Sequence, residues 1–312
     1  TAFDIFTELI GEARKHVLES ALAAGLPEGD CLENGGGEAV AYADSIALYL
    51  GLIVSRLTDY HSSLTTWASN PQMEILRNLF ARQAIAMAWD FAEGNAVGEL
   101  AGSYILCLDR ICIGLDTYSD WELSELPPKV EMRSATKPRA ASFDCIVTDP
   151  PYYDAIPYSD LMDFFYVWLR RTLYGLSSEM DAAFAEPLAP KWNHESGDGE
   201  LIDDAARHQG DSDASRRAYE DGMARAFQAC HASLTPSGQL VIVFAHKRPD
   251  AWETLVSAII RAGFVVDGSW PIATEQESRM RAQASAALAS SVWLVCRKRD
   301  PLAKVGWDNR VM

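Results

Sequence analysis

The sequence is short of the residues that announce several common chemistries. Its six cysteines (Cys31, Cys107, Cys112, Cys145, Cys230 and Cys296) include no Cys-x-x-Cys pair. Neither a zinc site nor a disulfide framework is therefore expected, and the thiols read as reduced and mostly buried. Basic charge is scarce: 27 Lys and Arg against 44 Asp and Glu leave a formal net charge of -17. That balance disfavours nucleic-acid binding, which leans on cations to neutralise phosphate, unless another segment or subunit carries the basic surface. The longest apolar runs, Ser45 to Val54 and Gln239 to Ala245, fall short of the roughly 20 residues that cross a bilayer, so no membrane span is expected. No basic, apolar leader precedes the first helical pattern, and the expectation is a cytoplasmic protein. The one glycine cluster, Gly35-Gly36-Gly37, follows the polar run Cys31 to Asn34 instead of an apolar strand, which makes a poor cofactor or phosphate loop.

What is present is enough apolar content, 48% of 312 residues, to bury one large core or two ordinary ones. Spacings of three and four predict helices over Phe3 to Ala24, Glu38 to Leu57 and Gln72 to Glu93, the last carried by Ile75, Leu76, Leu79, Ile85, Met87 and Trp89 and capped by Gly94. From about Lys129 short β-type runs alternate with helical patterns, which predicts a layered α/β unit with a mostly parallel sheet. The strands are read at Val130 to Arg133, Phe143 to Thr148, Gln239 to Ala245, Phe264 to Trp270 and Val292 to Arg297. A helix after Pro157 presents Leu161, Phe164, Phe165, Trp168, Leu169 and Leu173 on one face. Another opens with a capping box, Asp250 to Glu253, and stops at Gly263. The expected organisation is a helical region over 1–125 and a catalytic region over 126–312, with a long mobile loop at about 177–215, where no period is visible.

The segment that carries chemistry is Phe143 to Tyr152, an apolar strand running into Asp149-Pro150-Pro151-Tyr152. Ligands of open α/β sheets bind outside the carboxyl ends of strands, so this turn is expected at a site rim. The Asp149 carboxylate and the Pro150 carbonyl can each accept one hydrogen of a planar amine and aim its lone pair. Pro150 and Pro151 fix φ and carry no N–H, so the acceptors are set before substrate arrives. Tyr152 offers a flat face on which a base taken out of a duplex can stack.

The run Thr148 to Leu161, continuing through Asp163 to Arg171, resembles adenine-specific DNA methylases that carry an inserted zinc ribbon. Matches also fall at Phe80 to Ala84, Trp89 to Glu93, Trp270 to Glu275 and Ala287 to Ser291. The resemblance implies a Rossmann-like methyltransferase core with an N-terminal helical region, S-adenosyl-L-methionine as methyl donor and DNA adenine as the methylated group, in proteins placed with restriction or phage defence. It also implies Asp149 and Tyr152 as catalytic positions. In such enzymes cytosine goes with Ser, and RNA adenine or protein glutamine with Asn, where this chain has Asp149. The zinc ribbon and the first strands with their glycine-rich cofactor loop have no counterpart here. The chain matches the carboxyl-terminal half of the family, which implies a missing N-terminal half or a partner subunit that carries the cofactor loop. A non-catalytic subunit and an RNA or protein amide methyltransferase are the competing readings.

Around the corner, Tyr153, Asp154 and Tyr158 are candidate substrate contacts, with Thr148 and Asp149 nearest the cofactor. His246-Lys247-Arg248 closes a strand and is expected at the same rim, where His246 and Lys247 can meet phosphate. Arg279, within Thr274 to Arg281, is a candidate DNA contact on a loop. Arg82, Gln83, Asp90 and Glu93 are weaker polar candidates on the third expected helix.

Overall fold

A computed structural model describes residues 2–70, 73–81, 85, 87, 89, 92–99, 102–119, 129–140, 142–153, 156–189, 191–272 and 291–300. Among these residues the chain forms seven α-helices and eight strands. In chain order they are α1 (Ala2–Ala23), α2 (Ala39–Thr58), β1 (Thr66–Asn70), β2 (Met73–Arg77), α3 (Tyr104–Ser119), β3 (Phe143–Thr148), α4 (Tyr158–Leu173), α5 (Ser178–Ala183), β4 (Trp192–Asn193), β5 (Asp198–Gly199), α6 (Ser212–Ser233), β6 (Leu234–Phe244), α7 (Pro249–Arg261), β7 (Phe264–Ile272) and β8 (Ser291–Lys298). The fold is mixed α/β. Its chain divides into two compact units, Thr1–Lys129 with Tyr158–Pro190, and Val130–Pro157 with Lys191–Met312. The boundary expected near residue 125 is thus crossed again, because α4 and α5 group with the helical unit.

In the first unit α2 is the central helix. By length and composition it is long and apolar enough to cross a membrane, with mean hydropathy 1.4, which the ten-residue run alone did not suggest. Here Ile53, Val54 and Leu57 are buried against neighbours that include Phe3, Phe6 and Cys107. Asp44 on the same helix is buried and held by Arg14, Nε at 2.8 Å, and by the Leu32 amide at 3.2 Å, a polar tie suited to a helix packed in protein.

The third expected helix is replaced, at its start, by an antiparallel hairpin in which Asn70 pairs Met73 and Thr66 pairs Arg77. Ile75, Leu76 and Leu79 satisfy a helical spacing, but Leu76 is buried while Ile75 faces out, which is the two-residue alternation of a strand. The Asp59 carboxylate then collects the Phe80 amide and the Asn78 side chain, each at 3.0 Å. Ile85, Met87 and Trp89, expected on a packed face, are exposed, Trp89 at 98%. Gly94 is no helix cap; a Cβ there would stand 2.9 Å from Leu76 Cδ2, so the glycine permits a close approach. Arg82, Gln83 and Asp90 lie outside the described residues.

The second unit is built on a four-stranded mixed sheet of order β3-β6-β8-β7. The β3–β6 ladder is parallel, while β6–β8 and β8–β7 are antiparallel. β3, β6 and β7 therefore run one way, with β8 reversed between the last two, so the pairing is less parallel than expected. The crossover through α7 gives β7 the direction of β6, and β8 fills the position between them running the other way. Helices α6 and α7 cover one face: Leu240, Ile242 and Phe244 pack with Tyr219, Met223, Phe227, Leu255 and Ile259 in the main core. Val147, 61% exposed, pairs Val241 on the opposite face. The strand expected at Val130 to Arg133 is irregular backbone; Val130 and Met132 are largely exposed, so no burial offsets the cost of ordering them as a strand.

The loop expected at 177–215 is instead organised by caps. Ser177 accepts the Met180 amide at α5, Asp204 the Ala206 amide at a short 3-10 turn, and Asp211 the Asp213 and Ala214 amides at α6. These side-chain caps replace apolar periodicity as the local signal. At α7 the expected capping box does not form: Arg248 is the N-cap without a side-chain bond, and Pro249 opens the helix. The cysteines are all free, two of them buried (Cys107, Cys296) and two exposed (Cys112, Cys145); burial pushes the Cys296 thiol up to about 11.

Candidate active-site corner

Because β3 and β6 are parallel, both strands end on the same side of the sheet. Thr148 pairs Ile242, two residues before Phe244, so Asp149 and His246-Lys247-Arg248 leave the sheet at one rim. Thr148, expected near a cofactor, turns its hydroxyl to the Val241 carbonyl at 3.4 Å. Its described contact is thus to the neighbouring strand.

At the rim itself the Asp149 carboxylate is exposed and accepts the Tyr152 hydroxyl at 2.9 Å. Among the described residues nothing donates to the Pro150 carbonyl. The Tyr152 ring is half-buried and meets Phe244 edge-on, centroids 5.6 Å apart at 87°, so it is seated as part of the corner. One hydroxyl thus fixes one oxygen of an exposed carboxylate.

Tyr153 behaves in the opposite way. Its φ of 52° is left-handed, a conformation that costs a non-glycine residue about 1–3 kcal/mol, and it sends the side chain inward until the residue is 1% exposed. The ring packs at right angles to Tyr219, 5.1 Å away, and near His246 at 6.0 Å, with the Arg248 guanidinium 5.5 Å from its centroid. Burial, then the Asp203 carboxylate, raises the phenol above its ordinary value, while Arg216 opposes the shift. Expected as a substrate contact, Tyr153 is instead the underside of the corner.

His246 is half-buried. Its Nδ1 accepts the Arg248 amide at 3.1 Å, which leaves the proton of the neutral ring on Nε2, and its carbonyl accepts the Trp252 indole at 3.0 Å. Lys247 is exposed beside it. Arg248 is shared with Asp250, whose carboxyl it holds below the usual range. Tyr158 opens α4 in the other unit and is 50% exposed. Asp154 and Arg279 lie outside the described residues. A cavity of about 300 Å³ between α6 and α7 is lined by Tyr153 with Arg216, Glu220 and Asp250. On its outer edge β3 has no strand neighbour among the described residues.

Sequence reading missed the support: Tyr219, Asp203 and Phe244. The signal for Tyr219 was present, since Tyr219, Met223 and Phe227 recur at four behind the cap Asp211 and mark a buried helix face. Searches of protein-family models, of curated proteins and of solved structures each find no match to this chain.

Proposed function

We propose that the corner holds the exocyclic amine of adenine in DNA, as the substrate side of an S-adenosylmethionine-dependent amino-methyltransferase with a Rossmann-like core. The observation that carries the reading is an acceptor pair on a rigid turn: the exposed Asp149 carboxylate, steadied by Tyr152, next to a Pro150 carbonyl with no described donor. An amino nitrogen bonded through both hydrogens is oriented with its lone pair outward, the geometry that methyl transfer needs. Asp149, where Ser or Asn stands for other amines in the resembled family, favours DNA adenine. Three strands of one direction ending at the rim are consistent with ligand binding at strand carboxyl ends. His246 and Lys247 stand at the rim to meet phosphate.

The described residues do not by themselves fit the cofactor. Gly35-Gly36-Gly37 follows a 3-10 turn, with Gly35 at φ 80° as its cap, and lies in the unit without the corner. Beside β3, the outer edge carries no second strand among the described residues. We assign the cofactor loop to a missing N-terminal half or a partner subunit. The open edge also favours a second reading, a DNA-modification subunit inactive by itself.

The test is transfer of a labelled methyl group from S-adenosylmethionine to adenine-containing duplex DNA by the protein with its cofactor-carrying segment. Asp149→Ala abolishes transfer and, at an exposed position, changes unfolding free energy by less than about 0.5 kcal/mol; retained transfer rejects the assigned role. Calorimetry on this chain alone separates the readings: micromolar cofactor binding supports a self-sufficient enzyme, and no heat supports the subunit.

A further inference from the structure

We infer that Tyr219 is a positioning residue for the corner: its hydroxyl clamps the backbone on both sides of Tyr152 and so fixes where Asp149 and the Pro150 carbonyl point. The inference rests on the reading of the corner as an amine holder. Tyr219 lies on α6, 2% exposed, and touches no substrate. Its Oη donates to the Pro151 carbonyl at 2.9 Å and accepts the Tyr153 amide at 3.3 Å. The same amide reaches the Pro151 carbonyl at 3.0 Å, so three groups close a small ring under the turn.

The need for an outside hydroxyl follows from the sequence of the turn. Pro150 and Pro151 have no N–H, so this stretch has fewer amides than an ordinary turn with which to brace itself. The Tyr153 amide braces it, and Tyr153 is a residue in a left-handed conformation that its surroundings must hold. A second tie comes from the same part of the chain: the Asp203 amide donates to the Tyr153 carbonyl at 3.1 Å, and the Asp203 carboxylate accepts the Ser215 hydroxyl at 2.7 Å. The Pro151 carbonyl is consumed beneath the turn by the Tyr219 hydroxyl and the Tyr153 amide. Phenylalanine at 219 keeps the ring packed on Tyr153 and removes only the clamp.

The experiment uses the full chain labelled with 15N-tyrosine and two oligodeoxynucleotides, one with a central adenine and one with N6,N6-dimethyladenine, which has no amino hydrogens. Wild type protects the Tyr153 amide from exchange at least about a hundredfold over an unstructured amide, and binds the adenine oligonucleotide about tenfold more tightly than the dimethyl one. Y219F raises Tyr153 exchange and brings the binding preference down to within about twofold. Wild type lacking Tyr153 protection overturns the clamp without recourse to a variant. Unchanged exchange in Y219F also overturns it, and faster exchange with the binding preference intact overturns the positioning role. Wild type that binds the two oligonucleotides equally overturns the amine-holder reading itself, a failure visible before Tyr219 is altered.

Discussion

Tyr152 and Tyr153 are the same side chain at adjacent positions, and they belong to two different regions of the molecule. Tyr152 sits on the rim, half-buried, with its hydroxyl on the Asp149 carboxylate. Tyr153, itself in the left-handed conformation, is buried in the core with Tyr219 and Phe244. The comparison teaches that the rim borrows its rigidity from the underside. Groups on the rim govern what is bound, and groups beneath it govern whether the rim keeps its shape.

The comparison breaks most severely from below. Phe244→Ala removes a fully buried ring that touches Tyr152, Trp252 and His246, and costs about 3–5 kcal/mol in denaturant unfolding. Tyr153→Phe keeps the packing but leaves Asp203 and Arg216 without the phenol between them, for a loss of about 1–2 kcal/mol. It also has a pH signature. Burial raises the folded-state value of the Tyr153 phenol, so its contribution to stability is full below the ordinary tyrosine value of about 10 and is lost as pH rises through the raised one. Unfolding curves between about pH 9 and 12 lose part of their slope in Tyr153→Phe. Tyr152→Phe is the smallest change, within about 0.5 kcal/mol in stability, yet it frees the Asp149 carboxylate and weakens discrimination between adenine and its N6,N6-dimethyl form. A large stability loss there, with discrimination intact, reverses the assignment of the two tyrosines.

The strands of the second unit were legible because each is a short apolar run between turn residues, and β3, β6, β7 and β8 lie within a few residues of where the sequence places them. Helix α4 was legible from its aromatic face. The hairpin at 66–77 was not, since Ile75, Leu76 and Leu79 satisfy a helical spacing, and the long-range pairing of 66–70 with 73–77 overrides it. Nor was the ordering of 177–215 visible as periodicity, because it rests on single carboxylates and hydroxyls at helix starts. At the corner, the turn that ends β3 at Asp149 was legible from the apolar run before it. The fate of Tyr153 was not, because it hangs on one backbone angle and on partners some fifty to sixty-six residues away in sequence.

The paired prolines carry a consequence for selectivity by repulsion. Asp149 puts a carboxylate at the rim, positions 150 and 151 carry no imide hydrogen, and the amide of 153 is turned beneath onto the Pro151 carbonyl and Tyr219. On the proposed reading, a deaminated base, in which a ring carbonyl replaces the amino group, would bring oxygen against the Asp149 carboxylate. Hypoxanthine is then expected to bind less tightly than adenine through lone-pair conflict, with no steric gate required.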